Sequence, residues 1–262
     1  MTVRQALADA ERRLTAAGIE TPRVDAEWLV AHVLGVSRSR LYEAGEVDAE
    51  LLEPLLRRRE AREPLAYVLG EWGFRGLTLK TDSRALVPRP ETETLVERAL
   101  ALIRDSSAPR VLDVGVGGGA IALAIKAEHP QARVTGVDTA ADALELAREN
   151  AAALGLDVEL RRSGFDAAAD GWDLVVANPP YIPHGELASL QPELQWEPRQ
   201  ALVGNGLHKE IARVADTRAI AFEVGDGQAD AVATSLAELG YERIAVTRDL
   251  AGTERVVEGR RG

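Results

Sequence analysis

The sequence predicts an α/β fold in which a doubly wound, mostly parallel sheet follows a small N-terminal helical bundle. The first observation is that short apolar segments alternate with amphipathic segments of helical period from residue 110 onward, which is typical of parallel strands joined by crossover helices. The second is that residues 1–70 show helical periodicity only. The third is the length of 262 residues, which exceeds that of a typical single domain. We therefore expect two domains.

Short helices, five in number, are predicted in the N-terminal bundle. Thr2 can cap the first, and Thr21 followed by Pro22 marks the start of the second, because proline suits the first helical turn. The remaining three are expected to begin at or just after Ser37, Asp48 and Pro64. Nothing in residues 1–70 suggests catalysis. We interpret them as a helical substrate-docking domain, although a packing domain without a binding role is equally consistent with the pattern.

Residues 71–90 have a different character and are predicted to form a β-hairpin linker. Glycines interrupt short aromatic and apolar segments here, a pattern that favours a tight hairpin. Further on, Pro88 and Pro90 hold Arg89 in an extended conformation. The stretch could serve only as a rigid interdomain linker, or it could place Arg89 at the mouth of the active site.

The remainder of the chain, residues 91–262, is predicted to be the doubly wound domain. Two stretches should be irregular: the short loop Gly164–Asp166 and the long segment from Ile182 to about Asn205, which we interpret as a lid or binding loop. The last two strands are expected to pair antiparallel. The strands are predicted at residues 111–114, 133–137, 158–160, 172–177, 219–223, 241–247 and 254–258.

Composition and charge limit the functions that the chain could have. The net charge of −11 argues against a protein that grips nucleic acid along its backbone, so no direct nucleic acid binding is expected. No apolar stretch approaches the roughly 20 residues of a membrane span. The chain has no cysteine, and its four histidines lack ligand spacing, so no metal site is expected. These observations favour a cytoplasmic protein without a membrane partner, which we expect to be a monomer.

A glycine-rich loop, made of Gly115, Val116, Gly117, Gly118 and Gly119, follows the first strand of this domain. Such a loop lets the backbone approach a ligand closely, and the helix that follows adds positive potential. Asp113 lies just before the loop, and Asp138 ends the next strand, where a carboxylate can accept hydrogen bonds from both ribose hydroxyls. A nicotinamide dinucleotide and S-adenosylmethionine both suit this loop. The carboxylate at position 113 favours the second, because it can bind the ammonium group of that ligand.

The turn Asn178-Pro179-Pro180-Tyr181 directly follows the predicted strand 172–177. That strand ends at the carboxyl edge of the sheet, where open α/β sheets bind their ligands. The two prolines remove backbone donors and fix φ, so the turn is stiff. It can present an amide, backbone carbonyls and an aromatic face to one small polar group, although Asn-Pro-Pro also serves simply to end a strand. Together with the glycine loop, the turn favours methyl transfer.

These four residues resemble the signature of methyltransferases that alkylate amide or exocyclic base nitrogens. Nearly the whole chain is similar to one family among them, the peptide-chain-release-factor glutamine methyltransferases. This resemblance implies a Rossmann-like S-adenosylmethionine-dependent methyltransferase fold for residues 91–262. The further motifs that carry it are Asp25-Ala26-Glu27, Arg58-Arg59, Glu63-Pro64-Leu65-Ala66-Tyr67, Gly70 with Phe74, Pro88-Arg89-Pro90-Glu91-Thr92-Glu93, Glu197-Pro198, Ala201-Leu202, and Asp249-Leu250-Ala251-Gly252 with Arg255.

The resemblance also implies a reaction and its residues. The methyl group of S-adenosylmethionine would move to the side-chain amide nitrogen of the glutamine in the Gly-Gly-Gln loop of class I release factors, leaving S-adenosylhomocysteine. The implied catalytic and substrate-binding residues are Asn178, Pro179, Pro180 and Tyr181, with Arg89 as a further substrate contact. The implied cofactor-binding residues are Asp113, Gly115, Val116, Gly117, Gly118, Gly119, Asp138, Phe165 and Asn178.

The chain departs from the family pattern at its cofactor loop. The family usually carries a threonine on each side of the second loop glycine, where this chain has Val116 and Gly118. The acidic residue that often follows the third strand is replaced by Gly164, so adenine recognition is expected to depend on stacking against Phe165. Two alternatives stay open at this point. An adenine-N6 nucleic acid methyltransferase shares the four-residue signature, and the altered loop suggests a cofactor-binding scaffold that has lost activity.

Overall fold

A computed structural model of the protein describes residues 1–183, 185–186, 190–204 and 206–261. The chain divides into two compact units. The first, which we call the helical unit, contains Met1–Glu71 and Gln191–Trp196. The second, the sheet unit, contains Trp72–Leu190 and Glu197–Gly262. The predicted three-part division, with residues 71–90 as a separate linker, stays a prediction.

The five helices within residues 1–70 begin where the sequence predicted them. Thr2 forms a capping box with Gln5, and the Asp48 side chain accepts a hydrogen bond from the backbone N–H of Glu50. The elements of the helical unit are α1 (Val3–Ala16), α2 (Pro22–Leu34), a 3₁₀ helix (Arg38–Glu43), α3 (Ala49–Glu60), α4 (Leu65–Leu69) and a second 3₁₀ helix (Pro192–Trp196).

A buried arginine crosses the helical unit. Arg59 donates from Nε to Asp25 Oδ2 at 2.7 Å and from Nη2 to Glu193 Oε1 at 2.8 Å. Arg62 donates to the other oxygen of Glu193 at 2.7 Å. These contacts give residues 191–196 a defined place in the unit, because a buried charge needs paired partners.

The prediction of one irregular segment from Ile182 to about Asn205 is therefore wrong in part. Besides the 3₁₀ helix at Pro192–Trp196, it contains α8 (Arg199–Leu202), and Ile182 forms a parallel bridge with Val203. This segment is held in a regular structure by contacts with residues far away in the sequence, so local periodicity did not indicate that structure. Residues 184, 187–189 and 205 of this stretch lie outside the described residues.

The predicted hairpin is confirmed by a two-stranded sheet of β1 (Glu71–Phe74) and β2 (Leu77–Lys80). Arg75 and Gly76 join the strands with φ values of 44° and 76°. Two consecutive residues at positive φ are typical of tight hairpin turns.

The sheet unit is built on seven strands in the order β5-β4-β3-β6-β7-β9-β8. Strands β3 to β7 are parallel, whereas β9 runs antiparallel to both β7 and β8. The doubly wound fold and the antiparallel terminal pair are therefore confirmed. The strands are β3 (Arg110–Val114), β4 (Arg133–Asp138), β5 (Glu159–Arg162), β6 (Trp172–Ala177), β7 (Thr217–Glu223), β8 (Glu242–Arg248) and β9 (Glu254–Arg260). The helices are α5 (Thr92–Ile103), α6 (Ala120–Glu128), α7 (Ala141–Leu154), α9 (Leu207–Val214) and α10 (Ala229–Glu238).

Two local predictions in this unit need correction. Strand β5 occupies Glu159–Arg162 rather than 158–160, which is a small shift of a short edge strand. The predicted loop Gly164–Asp166 is instead the start of a 3₁₀ helix, Phe165–Ala169, with Gly164 as its N-cap. Ala167 and Ala168 of this helix are buried against Trp172 and Leu112 in the core, and that packing favours helical turns over an open loop.

The strand order reverses between β3 and β6, and this reversal positions the site. In the register, Val114 of β3 pairs with Ala177 of β6, and Ala177 pairs with Phe222 of β7. The next residues on the three strands are Gly115, Asn178 and Glu223, so they follow one another along the carboxyl edge. In open α/β sheets the crevice at such a reversal is the usual place for a ligand.

Candidate active site

The glycine loop is pinned to strand β4 by backbone hydrogen bonds. The N–H groups of Gly115 and Val116 both donate to the carbonyl of Val137, at 2.8 and 3.0 Å. Gly119 adopts a φ of 94°, and a Cβ there would lie 2.9 Å from Leu123 Cδ1. Glycine is favoured at 119 chiefly by this backbone conformation, which side chains with a Cβ rarely adopt.

Asp138 fastens the loop from its other side. Its Oδ2 accepts from the N–H of Gly117 at 3.0 Å, and its Oδ1 accepts from the N–H of Ala140 at 2.9 Å. The carboxylate is half-buried at the edge of the cavity. Because each carboxylate oxygen can accept more than one hydrogen bond, Asp138 retains the capacity to bind hydroxyl groups of a ligand.

Asp113 lies beneath the loop and is completely buried. Its Oδ2 accepts from the N–H of Ala122 in the first turn of α6 at 3.0 Å, whereas its Oδ1 has no hydrogen-bond partner among the described residues. Burial, with a smaller contribution from the negative charge of Asp138, raises the pKa of the Asp113 carboxyl to about 7. An orphaned carboxylate oxygen at this position fits a cationic ligand group.

A cavity of about 400 Å³ opens between the glycine loop and the Asn178 turn, entirely within the sheet unit. Most of the predicted site residues meet at this cavity, which agrees with their positions at the carboxyl ends of neighbouring strands. Asp113, Gly119 and Tyr181 do not line it. The predicted residues in its wall are Arg89, Gly115, Val116, Gly117, Gly118, Asp138, Phe165, Asn178, Pro179 and Pro180.

Asn178 is held by the first residue of α5. Its Nδ2 donates to the hydroxyl of Thr92 at 3.4 Å, and Thr92 is itself buried at the cavity wall. The turn that follows is packed closely, because a Cβ on Gly204 would lie 2.8 Å from the carbonyl oxygen of Pro180. The Asn-Pro-Pro backbone is therefore fixed from two directions.

Tyr181 faces the loop after β7. Its backbone carbonyl accepts from Gln228 Nε2 at 3.1 Å, and a Cβ on Gly225 would lie 2.9 Å from its ring. The prediction that Tyr181 packs against a substrate amide stays a prediction, since the ring is not part of the cavity wall in this structure.

Arg89 lies at the cavity wall, which agrees with the second of the two interpretations that the sequence left open for this stretch. It forms an ion pair with Glu197, whose other oxygen accepts from the N–H of Val87 at 3.0 Å. Burial raises the pKa of the Glu197 carboxyl above its ordinary value, while the charge of Arg89 acts in the opposite direction. Glu197 thereby joins the chain before α5 to the chain before α8, a role that no local sequence pattern indicated.

Thr92 and Glu223 are polar residues of the site to which the sequence analysis assigned no role. Glu223 is only 1% exposed at the end of β7, and burial raises the pKa of its carboxyl to about 7. A signal was available for it, because an acidic residue that ends a predicted central strand must lie at the carboxyl edge. Among the described residues, no group of His, Asp or Glu side chains could hold a metal ion, and no helix is both long and apolar enough to cross a membrane.

Sequence comparison identifies relatives over the full chain. Residues 5–70 match the model of the PrmC N-terminal domain, and residues 92–213 match that of the Methyltransferase small domain. The release factor glutamine methyltransferase of Deinococcus radiodurans is 42% identical over an alignment that covers 100% of this chain and 99% of the relative. The enzyme of the same name from Vibrio cholerae is 40% identical, with coverage of 99% and 96%.

Two solved structures share the fold at low sequence identity. The hMettl16 catalytic domain in complex with MAT2A 3'UTR hairpin 6 has a TM-score of 0.59 and 15% identity, covering 77% of this chain and 81% of that one. The 16S rRNA methyltransferase RsmC of T. thermophilus, in complex with AdoMet and guanosine, has a TM-score of 0.53 and 18% identity, with coverage of 73% and 50%. At such identities the likeness concerns the fold alone.

The doubly wound sheet, the glycine loop and the Asn178 turn define a Rossmann-like methyltransferase that uses S-adenosylmethionine. The chain belongs to the release factor glutamine methyltransferase family, as its full-length relatives show. The family resemblance inferred from the sequence motifs is thereby confirmed.

Proposed function

We propose that the protein methylates the side-chain amide nitrogen of the glutamine in the Gly-Gly-Gln loop of class I release factors. The observation that carries this proposal is the common cavity of the glycine loop and the Asn178 turn. Val114 and Ala177 are paired in the sheet, so the residues that follow them, Gly115 and Asn178, lie at the same edge and line the same cavity. A methyl donor and an amide acceptor can therefore be held side by side.

The acceptor side of the cavity offers two oxygens to an NH₂ group. Within the described part of the chain, no hydrogen bond ends on Asn178 Oδ1 or on the Pro179 carbonyl. An amide nitrogen is a poor nucleophile because its lone pair is delocalised. Hydrogen bonds from its N–H groups to these two oxygens would increase its electron density and fix its direction, so that catalysis consists mainly of positioning and electrostatics.

The cofactor side fits S-adenosylmethionine on two features of this structure. The glycine loop leaves room for close backbone contact, and the buried Oδ1 of Asp113 lacks a partner that an ammonium group would supply. Asp138 would accept the ribose hydroxyls, and Phe165 would stack on the adenine. When bound, the cofactor supplies an electrophilic methyl group on a sulfonium, and the carbon–sulfur bond breaks as the carbon–nitrogen bond forms.

The proton balance does not require a strong base. The glutamine amide loses one proton only after its nitrogen has bonded to the methyl group, when the N–H is far more acidic than in the free amide. That proton can pass to water. The residues of the cavity therefore need to orient the amide rather than deprotonate it.

A labelling experiment tests the proposal. The protein and methyl-labelled S-adenosylmethionine are incubated in three separate reactions, each with one acceptor. The acceptors are a purified class I release factor, the same factor with Ala in place of the loop Gln, and duplex DNA. We expect label on the unaltered release factor only. Label on DNA alone would instead support the adenine-N6 methyltransferase alternative, and cofactor binding by calorimetry without label on any acceptor would support the inactive cofactor-binding scaffold.

We further propose that the protein acts as a cytoplasmic monomer without direct nucleic acid binding. The net charge of −11 supports the last point, because nucleic acid backbone attracts proteins with excess positive charge. Light scattering on the purified protein tests whether it is a monomer. A titration with duplex DNA at low salt tests whether it binds nucleic acid. A dimer mass or salt-sensitive DNA binding would contradict them.

A further inference from the structure

Glu223 is a buried acid beside the residue proposed to hold the methyl acceptor. In the sheet register, Ala177 of β6 pairs with Phe222 of β7. The following residues, Asn178 and Glu223, are therefore neighbours on adjacent parallel strands. Glu223 is 1% exposed, and its Oε2 has no hydrogen-bond partner among the described residues. A buried carboxylate without a full set of partners requires an explanation in functional or structural terms.

Thr92 connects these two side chains. It begins α5, is 5% exposed, and accepts a hydrogen bond from Asn178 Nδ2 at 3.4 Å. The polar side chains of Thr92 and Asn178 lower the pKa of the Glu223 carboxyl, against the larger opposing effect of burial. The Thr92 hydroxyl carries one proton and can accept from Asn178 while donating toward the carboxylate.

The chemistry of the three groups permits one useful orientation of the Asn178 amide. An ionised carboxylate only accepts hydrogen bonds, so it attracts the NH₂ end of an amide and repels the oxygen end. With the NH₂ directed to Thr92 and Glu223, Oδ1 is directed away from them. A flipped Asn178 would instead present its NH₂ to the NH₂ of the acceptor, and two donors cannot bind each other.

We propose that Glu223 and Thr92 are positioning residues that fix the amide of Asn178, with its NH₂ toward the protein and its Oδ1 toward the methyl acceptor. Glu223 does not line the cavity, so it acts through Asn178 and Thr92 rather than on the substrate. This inference depends on the proposed function for its kinetic test, and its spectroscopic test is independent of any substrate.

The kinetic test uses a matched pair of variants at position 92. Thr92→Val keeps the shape of the side chain and removes the hydroxyl, whereas Thr92→Ser keeps the hydroxyl. We expect Thr92→Val to lower kcat about 10- to 100-fold, as for loss of a hydrogen bond in a charged network, with the Kd of the cofactor changed by no more than about twofold. The kcat of Thr92→Ser should stay close to that of the parent protein. Equal kcat values for the two variants would overturn the proposal.

The spectroscopic test follows the side-chain NH₂ resonances of Asn178 in the cofactor-free protein. Between roughly pH 5.5 and 8.5, they should shift with a midpoint near 7, the pKa of the Glu223 carboxyl. The shift should vanish in Glu223→Gln. Asn150 is the internal control, because its Nδ2 donates to the carbonyls of Lys80 and Gly118.

Other ionisable groups face Glu223 and have to be separated from it. Burial lowers the pKa of His208, whose Nε2 contacts the backbone carbonyl of Glu223, so its titration falls at lower pH. The remaining groups are Arg255, Glu91 and Tyr181. Asn178 resonances that do not titrate, or that titrate equally in Glu223→Gln, would overturn the proposal. A normal titration in a protein that fails to label any release factor would overturn the proposed function instead.

Discussion

The backbone N–H of Gly117 donates a 3.0 Å hydrogen bond to Oδ2 of Asp138. The glycine loop after β3 is thus held by the acidic residue that ends β4, and the same carboxylate accepts from Ala140 through its other oxygen. Asp138 therefore has two tasks in the proposed site, to shape the loop and to bind the ligand.

Asp138→Asn should weaken cofactor binding about tenfold or more, because an amide NH₂ would face one of the two backbone donors and leave it unpaired. Calorimetric titration with S-adenosylhomocysteine measures the effect. Asp142→Asn, an exposed change in the first turn of α7, is the matched control and should bind like the parent. Equal affinities for both variants would show that Asp138 does not hold the ligand loop.

Asn178→Ala should lower kcat by about 100-fold or more, because it removes an oxygen aimed at the reacting nitrogen. Cofactor affinity should change little, since the rest of the cofactor wall is intact. Rapid-quench methylation assays and calorimetry on the same preparation separate the two quantities. If affinity falls as far as kcat, Asn178 mainly shapes the cofactor pocket.

Glu197→Gln should lower the free energy of unfolding by about 1–3 kcal/mol. The Glu197 side chain is fully buried, and the change leaves Arg89 without its counter-charge. Urea denaturation measures the stability. Glu254→Gln breaks the more exposed pair with Arg248 and should cost less than about 1 kcal/mol. If Glu197→Gln lowers the free energy of unfolding no more than Glu254→Gln does, a structural role for the Arg89–Glu197 pair is contradicted.

Asp113→Asn should flatten the pH dependence of stability in the cofactor-free protein. The pKa of this carboxyl rises from an ordinary value of 3.8 to about 7 on folding. Between those values the folded protein keeps a proton that the unfolded chain has lost, so the free energy of unfolding falls as pH rises. The variant cannot ionise and retains an oxygen for the N–H of Ala122.

Urea denaturation at about pH 5 and about pH 8 measures this difference. Glu223 contributes with the same sign, because burial also raises the pKa of its carboxyl to about 7. The double variant with Glu223→Gln should therefore show a flatter profile than Asp113→Asn alone. An unchanged profile in Asp113→Asn would mean that Asp113 is already ionised at low pH in the folded state.

The parts of this fold that the sequence predicted correctly depend on local patterns. Alternating strands and helices, the glycine loop and the carboxyl-edge position of Asn178 follow from periodicity and from the geometry of parallel sheets. The roles that the sequence did not assign, those of Glu197 and Thr92, depend on partners far away in the chain. Glu197 is held by Val87, 110 positions earlier, and Thr92 contacts Asn178, 86 positions later. No window of neighbouring residues contains such pairs.

The acidic residue at position 193 has a consequence for the order in which the chain is made. Arg59 and Arg62 reach Glu193 across 134 and 131 positions, and these contacts complete the helical unit. Because the chain is synthesised from its N-terminus, most of the sheet unit must leave the ribosome before the segment Pro192–Trp196 of the helical unit has been made. A nascent chain stalled before that point can pair Arg59 with Asp25 and with the carbonyl of Glu63 but lacks Glu193. The helical unit thus receives the shared partner of Arg59 and Arg62 from a segment that is translated much later.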